Sequence, residues 1–404
     1  VGEERISGWS GCNLTTMNGG ACTNEEIFLR ACKASAILGT LQAGYTNFKY
    51  IGKHNKKIFD QEALLGCSIT GWTNNPEFLF NPEVQRRGAE EVLKWNAIVA
   101  DLIGIKHAAR TTCCKPEGNA SVLLQTASGI HGEHAERYFR SMQVNKESEI
   151  AQAFAALNPR ATEDSVWSAA GTDYVVSVPV IAKEGSLFKK DLLGVKQLEL
   201  VKLTQNNWVE YGTRHENCVN KNARHNVSNT IQVDDWDEVG NYIFENRDHF
   251  AGVSLLAATG DKDYVQAPFC EVLTAQELLD KYGTASMFAG GLVVDALHAF
   301  DNLWQACDTF TGEGMSRVNL VVETSENCLQ RDLVRRVRKF ASRYCEGDIL
   351  QVTYMLKDVY NLHRWEGIVR EWKGIDWDTF DFQPSYVDVD TTGSAACAGG
   401  MCEY

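Results

Sequence analysis

Apolar positions recur along most of the chain with periods that alternate between helical and extended, the order expected of an α/β protein. Thr23-Asn24-Glu25-Glu26 reads as a capping box, and Ile27, Ala31, Ala34, Leu38 and Leu41 follow at helical spacing. Asn81-Pro82 joins an N-cap to a proline at the first helical position, ahead of a stripe of Val84, Gly88, Val92, Trp95, Val99 and Leu102. Further helices are expected over 191–211, with Leu192, Val195, Leu198 and Leu203 inward, from Asp235 onward, and after Thr274 with Glu277. Two longer ones are expected over 292–307 and 326–345. Runs rich in β-branched residues at 174–181, 227–233, 252–257 and 317–322 predict buried strands. The periodicity stops near Ser385, so residues 1–385 are expected to fold and 386–404 to form a flexible tail.

Composition narrows the class. With 404 residues the chain has room for two or three domains or one large α/β unit. Its 39 basic and 53 acidic residues leave a net charge of −14, which argues against a nucleic-acid partner. No apolar run reaches the ~18 residues of a membrane span, and the charged start Val1-Gly2-Glu3-Glu4-Arg5 is not a signal peptide. The 13 cysteines are odd in number and scattered, as expected of reduced thiols in a cytoplasm, bacterial or that of a phage host. The first residue is not Met, which suggests a processed or partial product.

Three motifs carry possible chemistry. Cys397 and Cys402 flank Ala398-Gly399-Gly400-Met401, a spacing that suits a tight disulfide and, on a tail, exchange with another disulfide. Half a zinc site is the alternative, but the tail holds no further Cys or His. Lys115-Pro116-Glu117-Gly118-Asn119-Ala120-Ser121 pairs a Pro-Gly turn with small residues that let backbone N–H groups approach an anion, with Lys115 and the Ser121 hydroxyl to assist; taken on its own, the segment is better read as an ordinary Pro-Gly turn. Cys12, in Gly11-Cys12-Asn13-Leu14-Thr15-Thr16, is by default an inert thiol, and the neighbours Cys113 and Cys114 read as packed. His131 and His134 have a ligand-like spacing but no companions, which favours structural hydrogen bonding.

Together and in order, these segments resemble the C-terminal half of the catalytic chain of an adenosylcobalamin-dependent, class II ribonucleotide reductase. Cys12-Asn13-Leu14 resembles the family's Cys-Asn-Leu, residues 115–121 its Lys-Pro-Ser-Gly-Thr-Val-Ser phosphate loop, and Ser128-Gly129-Ile130-His131 its Ser-Gly-Ile-His. Asn226–Ile231, Trp236–Val239, Gly252–Leu256 and the cysteine tail resemble later family segments. The absence of a Tyr-Tyr pair and of a C-terminal glycyl-radical motif favours class II over classes I and III.

The resemblance implies an α/β fold, half of a ten-stranded barrel, and radical reduction of ribonucleotides to 2′-deoxyribonucleotides with adenosylcobalamin as cofactor. It implies that Cys12 is one of the two reducing thiols, that Glu3 is the catalytic base, and that residues 115–121 bind substrate phosphate. Cys397 and Cys402 would re-reduce the active-site disulfide and be served in turn by a thioredoxin- or glutaredoxin-like protein. Counting back from Cys12 by the family spacing puts Val1 where the thiyl-forming cysteine belongs. An N-terminal half, as a separate chain or upstream segment, is therefore expected as partner. A class I large subunit and a non-catalytic nucleotide-binding paralogue lacking the thiyl residue are the alternatives.

Overall fold

A computed structural model describes residues 3–4, 8–48, 50, 52–258, 264–311, 328–376 and 378. The strand expected at 317–322, the boundary at 385, Val1, Cys397 and Cys402 lie outside these residues. The described chain divides into two compact units, each discontinuous in sequence, where the periodicity suggested one folded part over 1–385. The first joins the residues up to His134 to those from Ala182 to 258; the second joins 135–181 to the residues from 264 onward.

The first unit is built on parallel pairing. Strand Leu14–Asn18 pairs with Gly66–Thr70, Leu14 opposite Gly66 and Asn18 opposite Thr70. A parallel bridge between Cys67 and Thr112 adds the extended segment 111–115, and another between Cys114 and Val227 adds 226–228. That segment runs into strand Thr230–Val233, which pairs in parallel with Ser254–Ala257. Five extended segments therefore run the same way, and no closed barrel forms among the described residues. Parallel neighbours need crossovers, and helices Glu25–Ala43, Pro82–Ile103, Val195–Thr204 and Trp236–Glu245 lie in the connections. Phe28, Ile69, Trp72, Leu79, Val92, Trp208 and Ile231 fill the core beneath them.

Several expectations need correction. The first helix is capped by Asn24, whose Oδ1 accepts the Ile27 N–H at 3.0 Å, rather than by Thr23. Its buried face is Phe28, Cys32, Ser35, Ala36, Gly39, Thr40 and Ala43, while Leu38 and Leu41 are 61% and 50% exposed. Small residues turn inward because this helix packs closely on Pro82–Ile103, where a Cβ on Gly88 would lie 2.5 Å from the Phe28 ring. Leu102 is exposed at the end of its own helix. The helix expected over 191–211 begins only at Val195, after Gly194 at φ +53°, and ends in a π-helical turn over Gln205–Val209. The segment 292–307 is split: helix Ala285–Ala299 stops at an extended Phe300, and Asn302 restarts the chain by accepting the Gln305 N–H, leading into helix Leu303–Thr311.

The second unit holds an antiparallel sheet in the order Thr162–Asp164, Asp173–Ile181, Arg137–Asn145, Phe269–Glu271. The helices from Ala275–Tyr282 to Ile349–Glu371 pack around Leu292, Trp304, Leu333 and Met355. The Thr274–Glu277 capping box forms as expected. No helix among the described residues is long and apolar enough to cross a membrane.

Candidate active site

The first unit places the expected site residues at two levels of its parallel run. At the N-terminal level lie Glu3, Glu4 and Cys12. The Glu3 carbonyl accepts the Asn226 N–H at 2.9 Å, which ties this short stretch to the fourth segment. Asn13 fixes the approach to the first strand: its carbonyl accepts the Gly66 N–H at 2.9 Å and its Nδ2 donates to the Leu64 carbonyl at 2.8 Å. Cys12 reaches solvent. Even so, partial burial of its sulfur, with Glu4 and Glu3 nearby, pushes the thiol up to about 11, so it stays protonated at neutral pH.

Glu4 is the residue that sequence reasoning missed here. It is 8% exposed, and neither carboxylate oxygen meets a donor at full hydrogen-bond geometry. The side chain occupies space that Gly66 leaves free: a Cβ there would sit 2.5 Å from Glu4 Oε1 and 3.0 Å from Cys113 Sγ. Burial raises this carboxyl to about 8; the Asn13 backbone N–H opposes the shift, and Glu3 and Glu62 add to it. Nothing in the one-dimensional pattern distinguishes Glu4 from Glu3. Cys113 is wholly buried, and burial holds its thiol far above the ordinary range, as it does for Cys114, so both are packing residues.

At the C-terminal level the segment 111–115 opens into the 115–121 loop. The Lys115 N–H donates to Ser68 Oγ at 2.9 Å. Gly129, at φ +53°, lets the returning chain pass the Lys115 carbonyl, which a side chain would strike. Ser128 Oγ donates to the Pro116 carbonyl. Gly118 and Asn119 face solvent and Ala120 is half-buried. Ser121 is buried, and its hydroxyl is turned back onto the Gly118 carbonyl at 3.2 Å. Glu117 points inward with its side chain 1% exposed. Its Oε1 accepts from Thr16 Oγ at 2.8 Å, and its Oε2 lies 3.4 Å from Lys115 Nζ, which also donates to Thr16 Oγ at 3.1 Å. Thr16 was missed too, because the short strand that carries it does not show in the hydrophobic pattern. Thr16 and Asn18 both reach the loop side, Asn18 through the Leu124 carbonyl at 3.0 Å, while Thr15 turns to Ser35 on the opposite face.

Cys12 lies two residues before the first strand and Thr16 is that strand's third residue, so four residues, at most about 13 Å of chain, separate them. His131 stands aside as a structural residue. Its Nδ1 meets the Ser128 carbonyl at 3.0 Å, and its Nε2 accepts the Thr230 N–H at 3.0 Å. Burial lowers it to about 4, so it is neutral. Among the described residues no cluster of His, Cys, Asp or Glu could hold a metal ion.

No family model matches the chain. A probable adenosylcobalamin-dependent ribonucleoside-triphosphate reductase of Dictyostelium discoideum is 23% identical over 287 residues, 67% of this chain and 34% of the relative. The crystal structure of a B12-dependent, class II ribonucleotide reductase superposes with a TM-score of 0.54 at 16% identity, over 68% of this chain and 40% of the other. The chain is therefore similar in sequence and fold to adenosylcobalamin-dependent ribonucleotide reductases, and it spans between a third and two fifths of their length.

Proposed function

We propose that this chain is part of the catalytic chain of a class II ribonucleotide reductase, and that its first unit is one five-stranded half of that family's ten-stranded barrel. The observation that carries the reading is the run of five parallel segments with Cys12 before the first and the 115–121 loop after the third. In this reading Cys12 and a second thiol outside the described chain reduce the substrate. Two thiols become one disulfide, two electrons and two protons pass to the nucleotide, and its 2′-hydroxyl leaves as water. A thiol held protonated suits this hydrogen-donating role better than a thiolate. Glu3 serves as base at the ribose 3′-hydroxyl, and residues 115–121 orient the phosphates. Cys397 and Cys402 return the disulfide to thiols by exchange and are themselves reduced by a thioredoxin-like protein.

The relatives' names point to adenosylcobalamin, which when bound would supply the radical that starts the reaction. The protonated Cys12 is compatible with such chemistry. No described residue is assigned to hold the corrin, and none of the steps above runs through it. An N-terminal half completes the barrel as a partner chain or upstream segment.

The test is turnover of ribonucleotide by the full chain with its N-terminal half and adenosylcobalamin, using a small dithiol as reductant. Cys12→Ser should abolish multiple turnover. Changing Cys397 and Cys402 should spare turnover driven by the dithiol and remove that driven by a thioredoxin. Activity that ignores cobalamin, or a fully active Cys12→Ser variant, overturns the reading.

A further inference from the structure

The phosphate-loop reading meets an obstacle in the loop itself. Within residues 115–121 the one cation is Lys115, and its ammonium is already engaged by Glu117 Oε2 and Thr16 Oγ. A polyphosphate approaching this loop meets a buried carboxylate beside that lysine, and at close range like charges repel strongly where water is excluded. Glu117 is held in place: its Oε1 is fixed by Thr16, and its residue is 5% exposed. Its Oε2 is shielded from solvent and accepts no hydrogen bond; the 3.4 Å approach of Lys115 Nζ is an ion pair only. Oε2 is thus held by the charge of the Lys115 ammonium and not by a hydrogen bond, and a metal ion could reach it only in that ammonium's place.

We infer that Glu117 makes this site selective for a nucleotide carried as its divalent-metal complex, with the metal ion bridging Glu117 Oε2 and the substrate phosphate. This deepens the proposed function and rests on residues 115–121 being the phosphate loop. Magnesium is commonly held in this way, by one or two carboxylates together with substrate phosphates rather than by an all-protein cage. A doubly charged ion at Oε2 replaces the single charge of Lys115. The ammonium is then free to turn to a phosphate oxygen, and Thr16 keeps its hold on Oε1. Without the metal, phosphate and Glu117 compete for one lysine.

The experiment is calorimetric titration of the full chain with inorganic pyrophosphate, in excess Mg²⁺ and in EDTA, for the natural sequence and for Glu117→Gln. The glutamine keeps an acceptor for Thr16 and removes the charge; circular dichroism and thermal melting verify that the variant is folded. The natural chain should bind at least tenfold more tightly with Mg²⁺. Glu117→Gln should bind in EDTA more tightly than the natural chain and gain little from Mg²⁺. Equal affinity of the natural chain in Mg²⁺ and EDTA, or an undiminished Mg²⁺ gain in Glu117→Gln, overturns the inference while leaving the phosphate loop standing. Absence of binding by the folded chain in both conditions overturns the phosphate-loop reading and this inference with it.

Discussion

Glu4 and Glu117 are two glutamates buried in the same unit, and their surroundings treat them oppositely. Glu4 sits among Leu14, Cys113 and the bare Cα of Gly66, with no full hydrogen bond. Glu117 receives a hydroxyl from Thr16 and a cation from Lys115. Burial by itself drives a carboxyl toward its neutral form, whereas burial with partners provides for its charge. The N-terminal level therefore stores a proton beside a thiol, and the C-terminal level pairs its buried glutamate with a hydroxyl and an ammonium.

The comparison is broken most forcefully through pH. The folded state raises Glu4 above its ordinary 4.5 to about 8. The folded state therefore binds this proton more tightly than the unfolded chain does. Stability from this source is complete below about pH 4.5 and is lost as pH climbs to about 8, by at most roughly 5 kcal/mol. Denaturant unfolding between pH 5 and 9 should show this loss, and Glu4→Gln should flatten it. An unchanged slope in that variant would mean that Glu4 is not held neutral.

Thr16→Val sharpens the contrast from the other side, because it withdraws the hydroxyl from Glu117 and leaves a buried acceptor unmet. A loss of about 1–3 kcal/mol at neutral pH is expected from urea unfolding. A loss under about 0.5 kcal/mol would show that Lys115 alone suffices. The smallest effect is expected away from both levels. Leu102→Gln removes an exposed leucine and should change stability by no more than about 0.5 kcal/mol, despite its place in the apolar stripe.

Helix starts were the most legible part of the sequence, because a cap is a local bargain between neighbouring residues. Asn81, Asp235 and Thr274 with Glu277 all cap where their chemistry says. The face of the first helix was not legible. Leucines outrank alanine and glycine in any hydrophobic count, but close helix packing selected Cys32, Ala36 and Gly39. The strands Leu14–Asn18 and Gly66–Thr70 went unread because they are short and mix Thr, Ser, Cys and Asn with few β-branched apolar residues. The Cys12 and 115–121 segments drew notice only through their resemblance to family motifs. Their partners Glu4 and Thr16 did not, since each acts across a fold contact that no sequence spacing encodes.

The way the two units share the chain also bears on how the protein is made. Synthesis proceeds from the N-terminus, and units tend to fold as they emerge. All described residues of the first unit have been made by position 258, so it can consolidate while translation continues. The hairpin of Arg137–Asn145 and Asp173–Ile181 is made early but covered late. The cluster that buries Phe139 needs Val272 and Ile368, which come off the ribosome long afterwards. For that interval the nascent chain carries an uncovered β-ribbon, and a chaperone has its most useful moment there.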